Sequence, residues 1–226
     1  MCTPPRMKAL FFVLRCMPAA LQAECRIERP LDQIIPAYEA ELRPLTVHIH
    51  NLGRLTQVCF GIEAIPPTIL APVGKLILQN VTLGQALSKL LAGLPGVRVE
   101  EAGGVVLIRP RSPQRHDWLD ESIGQFQSRR ASLQTISNLL FMTLAVQVDP
   151  GVRGFAGSYP PGDTTDLVGP FHEENQPLRR LLNLLLLNSK GGIWVTDGIS
   201  QHRADIPRKP FWVFLQYQRR TSDPDE

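Results

Sequence analysis

The sequence predicts an α+β protein made of two tandem β-α-β-β-α-β-β modules, each with two helices packed on a small mixed sheet. Three observations lead there. First, the chain resembles itself: Leu31, Asp32, Ile35 and Tyr38 meet Leu119, Asp120, Ile123 and Phe126 at an offset of 88. Further on, Asn80, Leu83, Leu87, Leu90, Leu91 and Gly96 meet Asn175, Leu178, Leu182, Leu185, Leu186 and Gly191 at an offset of 95. One insertion in an intervening loop accounts for the change, and order-preserving blocks of this kind mark an internal repeat. Second, 20 prolines and 17 glycines among 226 residues favour many short elements over a few long helices. Third, apolar residues alternate between helical and strand spacing in the same order in both halves.

In the first half, Ile34 to Glu41 is an extended segment. Pro44 suits the first turn of a helix, where its missing N–H costs nothing, and Leu45, Ile49, Leu52 and Leu55 then share one face. Val58, Phe60 and Ile62 alternate with Cys59, Gly61 and Glu63, which predicts a half-buried strand. After the turn-rich IPPTILAPVG come a strand from Lys75 to Gln79 and a helix capped by Thr82 that lines up Leu83, Ala86, Leu87, Leu90 and Leu91. Pro95-Gly96 ends it, and Val97-Val99 and Val105-Ile108 flank Gly103-Gly104 as a hairpin.

The second half follows suit. Ile123 to Ser128 is extended, Ser132 caps a helix to about Leu144, and Val146 and Val148 are expected in a short strand. A long loop then precedes an extended Leu167 to Glu173; Pro177 opens a leucine-rich helix to Leu187, and Ile193-Val195 and Phe211-Leu215 close the module.

Residues 1–23 read as a secretory signal peptide: Lys8 gives a positive start, Ala9 to Leu14 an apolar stretch, and Leu21-Gln22-Ala23 a cleavage site before Glu24. Met7 is an alternative start to Met1. Domain boundaries follow at 24–112 and 113–226, the second module having the longer loops. Beyond residue 23 the 21 basic and 21 acidic side chains balance, so charge gives no reason to expect nucleic acid. No uncharged apolar run reaches the ~18 residues of a bilayer span, so no transmembrane segment is expected in the mature chain. Once a signal is removed, Cys25 and Cys59 remain. Two readings stand: a single disulfide between them, as an exported chain favours, or a buried thiol at Cys59 with Cys25 incidental.

Tyr38, the helix from Leu45, the strand Phe60-Gly61-Ile62-Glu63, the helix start Val81-Thr82-Leu83-Gly84-Gln85-Ala86-Leu87 and the hairpin from Gly96 to Arg109 together resemble the STN domain, the short N-terminal domain of secretins and TonB-dependent transducers. The resemblance covers residues 31–110 well and 118–217 more weakly, since Pro177 replaces Thr82 and Leu181 replaces Ala86. It implies a protein-interaction module of the bacterial envelope, with envelope proteins as partners and a periplasmic or secreted location. No barrel-sized region follows the second module, so an adaptor or assembly module is expected rather than a pore or transporter.

Motifs of chemistry are weak. His172-Glu173-Glu174-Asn175-Gln176 starts like a zinc-protease helix but has Gln176 where the second histidine is required, followed at once by Pro177. His48 and His50 are two apart on a helix, hence on different faces. Asp117, Asp120 and Glu121 form an acidic cluster expected in solvent; Arg179-Arg180, with Arg219-Arg220, read as a solvated face or as a contact for an acidic partner. No catalytic residue, cofactor or metal ligand is assigned. The candidates for partner binding are the sheet edges, where a peptide could add a strand, and the loop 151–169 carrying Phe155 and Tyr159, whose alternative reading is a tolerated insertion. The expected function is that of an exported, non-enzymatic envelope protein mediating protein–protein contact or assembly. The alternative is a small periplasmic or secreted enzyme whose site is not visible as a motif.

Overall fold

The computed structural model describes residues 27–65, 72–94, 96–112, 118–148, 167–197 and 212–216. The expected signal peptide, Cys25, and the loop with Phe155 and Tyr159 lie outside the described residues. The order of elements is β1 (Ile34–Ala40), β2 (Arg43–Pro44), α1 (Leu45–Thr56), β3 (Cys59–Ile65), β4 (Pro72–Val73), β5 (Leu76–Thr82), α2 (Leu83–Leu91), β6 (Val97–Ala102) and β7 (Val105–Pro110). The second half continues with β8 (Ser122–Ser128), β9 (Ala131–Ser132), α3 (Leu133–Val148), β10 (Leu167–Val168), β11 (Phe171–Pro177), α4 (Leu178–Leu187), β12 (Gly192–Asp197) and β13 (Trp212–Gln216). The class is mixed α+β, as expected.

Local chemistry sets the boundaries. Pro44 and Pro177 stand immediately before α1 and α4, where a missing N–H costs no helical bond. Thr82 and Gln85 form a reciprocal capping box at α2, and the Ser132 hydroxyl accepts from the Thr135 N–H at the start of α3. Gly103 and Gly104 take φ of +62° and +87°, the left-handed conformation that a two-residue hairpin turn demands.

The pairings of the two halves repeat. β1 pairs antiparallel with β5 from Ile34↔Thr82 to Ala40↔Leu76, and β8 pairs with β11 from Ser122↔Pro177 to Ser128↔Phe171. Every β8 residue stands 88 after its β1 counterpart, and every β11 residue 95 after its β5 counterpart. The short pairs β2–β4 and β9–β10 keep the same two offsets, as do the bonds from the Leu83 N–H to the Gln33 carbonyl (2.8 Å) and from the Leu178 N–H to the Glu121 carbonyl (3.0 Å). Asn80 and Asn175 occupy the gap in their respective ladders with φ of +47° and +51°, a conformation asparagine tolerates better than most residues.

The remaining strands depart from the expectation of one small sheet per half. Both hairpins belong to a single five-stranded sheet in the order β13-β12-β3-β7-β6, with β3 at the centre and parallel to both neighbours. The expected strand at Val146 and Val148 is instead the last turn of α3. No glycine or proline interrupts Leu133 to Val148, and Gln147 ties the helix end to β8, donating to the Ser122 carbonyl (2.7 Å) and accepting from the Gly124 N–H (3.4 Å). The second half therefore contributes two strands to the shared sheet where the first contributes three.

Each half lays its helices on a different face of that sheet. Phe60, Ile62, Val106, Ile108 and Ile193 pack with α1 and α2. Cys59, Val105, Leu107 and Trp194 pack with α3 and α4. The half-buried strand expected at Val58–Glu63 is thus covered on both sides, because the second half's helices seal the face on which Cys59, Gly61 and Glu63 lie. Burial of Cys59 at 1% exposure fits the reading of a small core residue. Its expected disulfide partner, Cys25, is not among the described residues.

Trp194 packs closely against β3. Its indole N–H donates to Asn183 on α4 at 2.9 Å, and its ring lies across Gly61 on β3. A Cβ at Gly61 would come within 2.4 Å of Trp194 Cζ2 and 2.6 Å of Leu107 Cδ2, so only glycine fits. Gly61→Ala is expected to lower unfolding free energy by about 1–3 kcal/mol, as overpacked cores do. Urea denaturation measures this, and adding Trp194→Phe should make the combined loss smaller than the sum of the two single losses.

Candidate functional site

Among the described residues, two groups of polar side chains bring ionisable residues together inside the fold. The larger centres on Glu63. It follows Ile62 on β3, on the strand face that the second half covers, and is 2% exposed. A carboxylate there must be matched, since an unpaired buried charge is prohibitively costly. Arg179, at the start of α4, meets it side-on: Nε donates to Oε1 at 2.5 Å and an η-nitrogen to Oε2 at 3.1 Å. Arg109 on β7 approaches Oε2 at 3.3 Å and reaches Glu100 on β6 at 3.6 Å, while Arg98 reaches the same Glu100 carboxylate at 3.4 Å. Arg179 also donates to Asp120, in the 3-10 turn Trp118–Asp120.

This arrangement ties the halves together with charge. Glu63 and Arg109 come from the first, Arg179 and Asp120 from the second. It revises one expectation: Arg179 is only 12% exposed and pairs within the chain, while Asp120 is exposed, as expected of a surface acid, and is its second partner. Arg180 next to it is exposed, as expected of a solvated face. The sequence signals for the network were Glu63 among the apolar residues of a strand and the reading of Arg179-Arg180 as a contact for an acidic partner.

The second group is His48 and Tyr38. His48 projects from α1 into the first core, fully buried, with Nδ1 2.9 Å from the Tyr38 hydroxyl and the rings edge-on at 6.0 Å. Its Nε2 is buried with no hydrogen-bond partner among the described residues. Burial first, and then the positive charge of Arg43, hold His48 below the ordinary imidazole range. Burial pushes the Tyr38 hydroxyl up, against a hydrogen bond with Asn51 and the charge of Arg43. The arrangement can hold a neutral imidazole. His50, two residues on, is partly exposed, so the helix does separate the two histidines.

The other sequence candidates do not converge. His172, Glu173 and Glu174 lie on β11, a strand, with His172 bonded to Gln127 (2.6 Å). No cluster of three or more metal-ligating side chains occurs among the described residues. A groove of about 590 Å³ runs beside the start of α2, between Leu31, Asp32, Thr82, Gln85 and Lys89, and opens broadly to solvent. No described helix is long and apolar enough to cross a membrane.

No protein-family model, no curated protein and no solved structure matches the chain.

Two outcomes are expected. Replacing Glu63 by Gln removes the buried carboxylate that Arg109 and Arg179 share, leaving them only Glu100 and Asp120, and should cost about 3 kcal/mol in chemical unfolding, whereas Asp120→Asn, which removes an exposed carboxylate, should cost about 1 kcal/mol or less. A histidine whose folded pKa lies below its unfolded value gives stability that is complete above about pH 6.5 and is lost as pH falls toward the folded value. Unfolding free energy should therefore decline between pH 7 and 5, and His48→Leu should flatten that slope whatever it does to the absolute value.

Proposed function

We propose that this chain is an exported, non-enzymatic protein of the cell envelope, built of two tandem STN-like modules (24–112 and 113–226) that act by docking to other proteins. The observation that carries the reading is how the halves meet: β12 adds as a parallel strand to the free side of β3. Strand addition is a recurrent mode of protein recognition, and here it joins two units with the same internal pairings. The repeated offsets of 88 and 95 through four strand pairs support a common module as the origin of both.

Three further features favour docking over catalysis. Glu63, Arg109 and Arg179 neutralise one another through ion pairs. The groove at α2 opens broadly to solvent, unlike the enclosed pockets that bury most of a small ligand's surface. Helix α3 contains no charged residue and leaves Leu139 and Val146, two turns apart on one side, 41% and 48% exposed. Such a surface suits another protein better than water.

The test has two parts. Expressed in full in a bacterium, the chain should fractionate outside the cytoplasm with an intact mass that begins at Glu24. A photo-crosslinker at Leu139, introduced into the chain in its native cell, should give a discrete heterologous adduct that the same group at exposed Lys89 does not. Retention of residues 1–23 in the cytosol would remove the envelope location, and identical crosslinking at both positions would remove the docking surface.

A further inference from the structure

We propose that the outer edge of β13 is an acceptor for one strand of another protein, an extended, uncharged segment of about five residues running parallel to β13. This rests on the docking reading above and adds where, in which direction and with what chemistry the partner binds.

The repeat itself shows what belongs there. β12 and β13 pair from Gly192↔Gln216 to Thr196↔Trp212, reproducing the β6–β7 ladder from Val97↔Pro110 to Glu101↔Val106. Trp212, Val213, Phe214 and Leu215 consequently hold the positions of Val106, Leu107, Ile108 and Arg109. On its far side β7 carries β3, parallel, in the register Cys59↔Val105 to Ile62↔Ile108. Among the described residues, β13 carries nothing on that side. The residues 88 beyond the start of β3 are Gln147 and Val148, and they are committed to α3, with Gln147 bonded to Ser122 and Gly124. The second half thus keeps the acceptor strand while the start of its own donor is helical.

The two edges of the shared sheet also differ in composition. β6 carries Arg98, Glu100 and Glu101, charges of the kind that discourage strand addition. β13, Trp-Val-Phe-Leu-Gln, carries none. The register further specifies the partner. In the first half Arg109 receives Glu63 of β3 at 3.3 Å, but its counterpart on β13 is Leu215. An acid at that point of an incoming strand would find no cation on β13, so the partner has an apolar residue where β3 has Glu63.

The probe is a synthetic peptide copying residues 57–65 with Cys59→Ser and Glu63→Leu, carrying a soluble tail and a nitroxide at its N-terminus, added to the mature chain. The proposal expects new hydrogen-exchange protection confined to residues 212–216 and paramagnetic broadening strongest at the Trp212 end, which marks a parallel strand. A peptide retaining Glu63 should bind about tenfold more weakly or worse, the penalty of an unmatched acid. Protection at β6 or α3 instead, broadening strongest at the Gln216 end, equal affinity of the two peptides, or no protection at all would each overturn it. So would edge amides of 212–216 already protected in the peptide-free chain. Protection dependent on monomer concentration would point to a second copy, and protection independent of it to a segment of the same chain. A specific adduct at Leu139 together with a silent β13 would leave the docking function standing and this assignment refuted.

Discussion

From Cys59 to Glu63 strand β3 has no solvent face, and the rest of the structure depends on how that is achieved. Cys59, Phe60, Gly61, Ile62 and Glu63 are all buried, the even-numbered members against α1 and α2 and the odd-numbered against the helices of the second half. A strand covered on both faces ordinarily reads as a continuous apolar run. Here it contains a glycine and an acid, and both are answered from the second half. Trp194 takes the space that Gly61 leaves, and Arg179 joins Arg109 in neutralising Glu63. The halves are therefore matched to each other at single-residue resolution through one strand.

That matching makes the two halves unequal despite their common pairings. The β1–β5 and β8–β11 ladders agree residue for residue, down to a left-handed asparagine at the same gap. The difference begins at the end of the first helix of each half. α1 stops at Thr56, with Gln57 in the left-handed region and its side chain bonded to the Arg54 carbonyl, and β3 follows. α3 continues four residues further and is fastened to β8 by Gln147. One half consequently supplies a central strand that serves both, and the other supplies the hairpin that completes its second side. The His48–Tyr38 pair belongs to the first core alone: Phe126 stands at the Tyr38 position and packs on Phe171, so the second core is apolar there.

The sequence by itself determined the local elements and their repetition. Pro44, Thr82, Ser132 and Pro177 mark helix starts by what their own backbone or hydroxyl can do, and Gly103-Gly104 marks a turn by its conformational freedom, none of which requires a distant partner. The offsets of 88 and 95 were legible because strand register is carried by side-chain period, and it survives divergence of most surface residues. Only the tertiary structure decided that Val146 and Val148 are helical, that both hairpins enter one sheet, and that Arg179 faces Glu63 rather than water. Each of these is settled by a contact between residues far apart in the chain: Gln147 with Ser122, Ile193 with Phe60, and Arg179 with Glu63 across 116 positions. Alternation of apolar and polar residues tells which sides of a strand differ. It does not tell whether the polar side meets solvent or another half's arginine, because burial is a property of what packs against the strand.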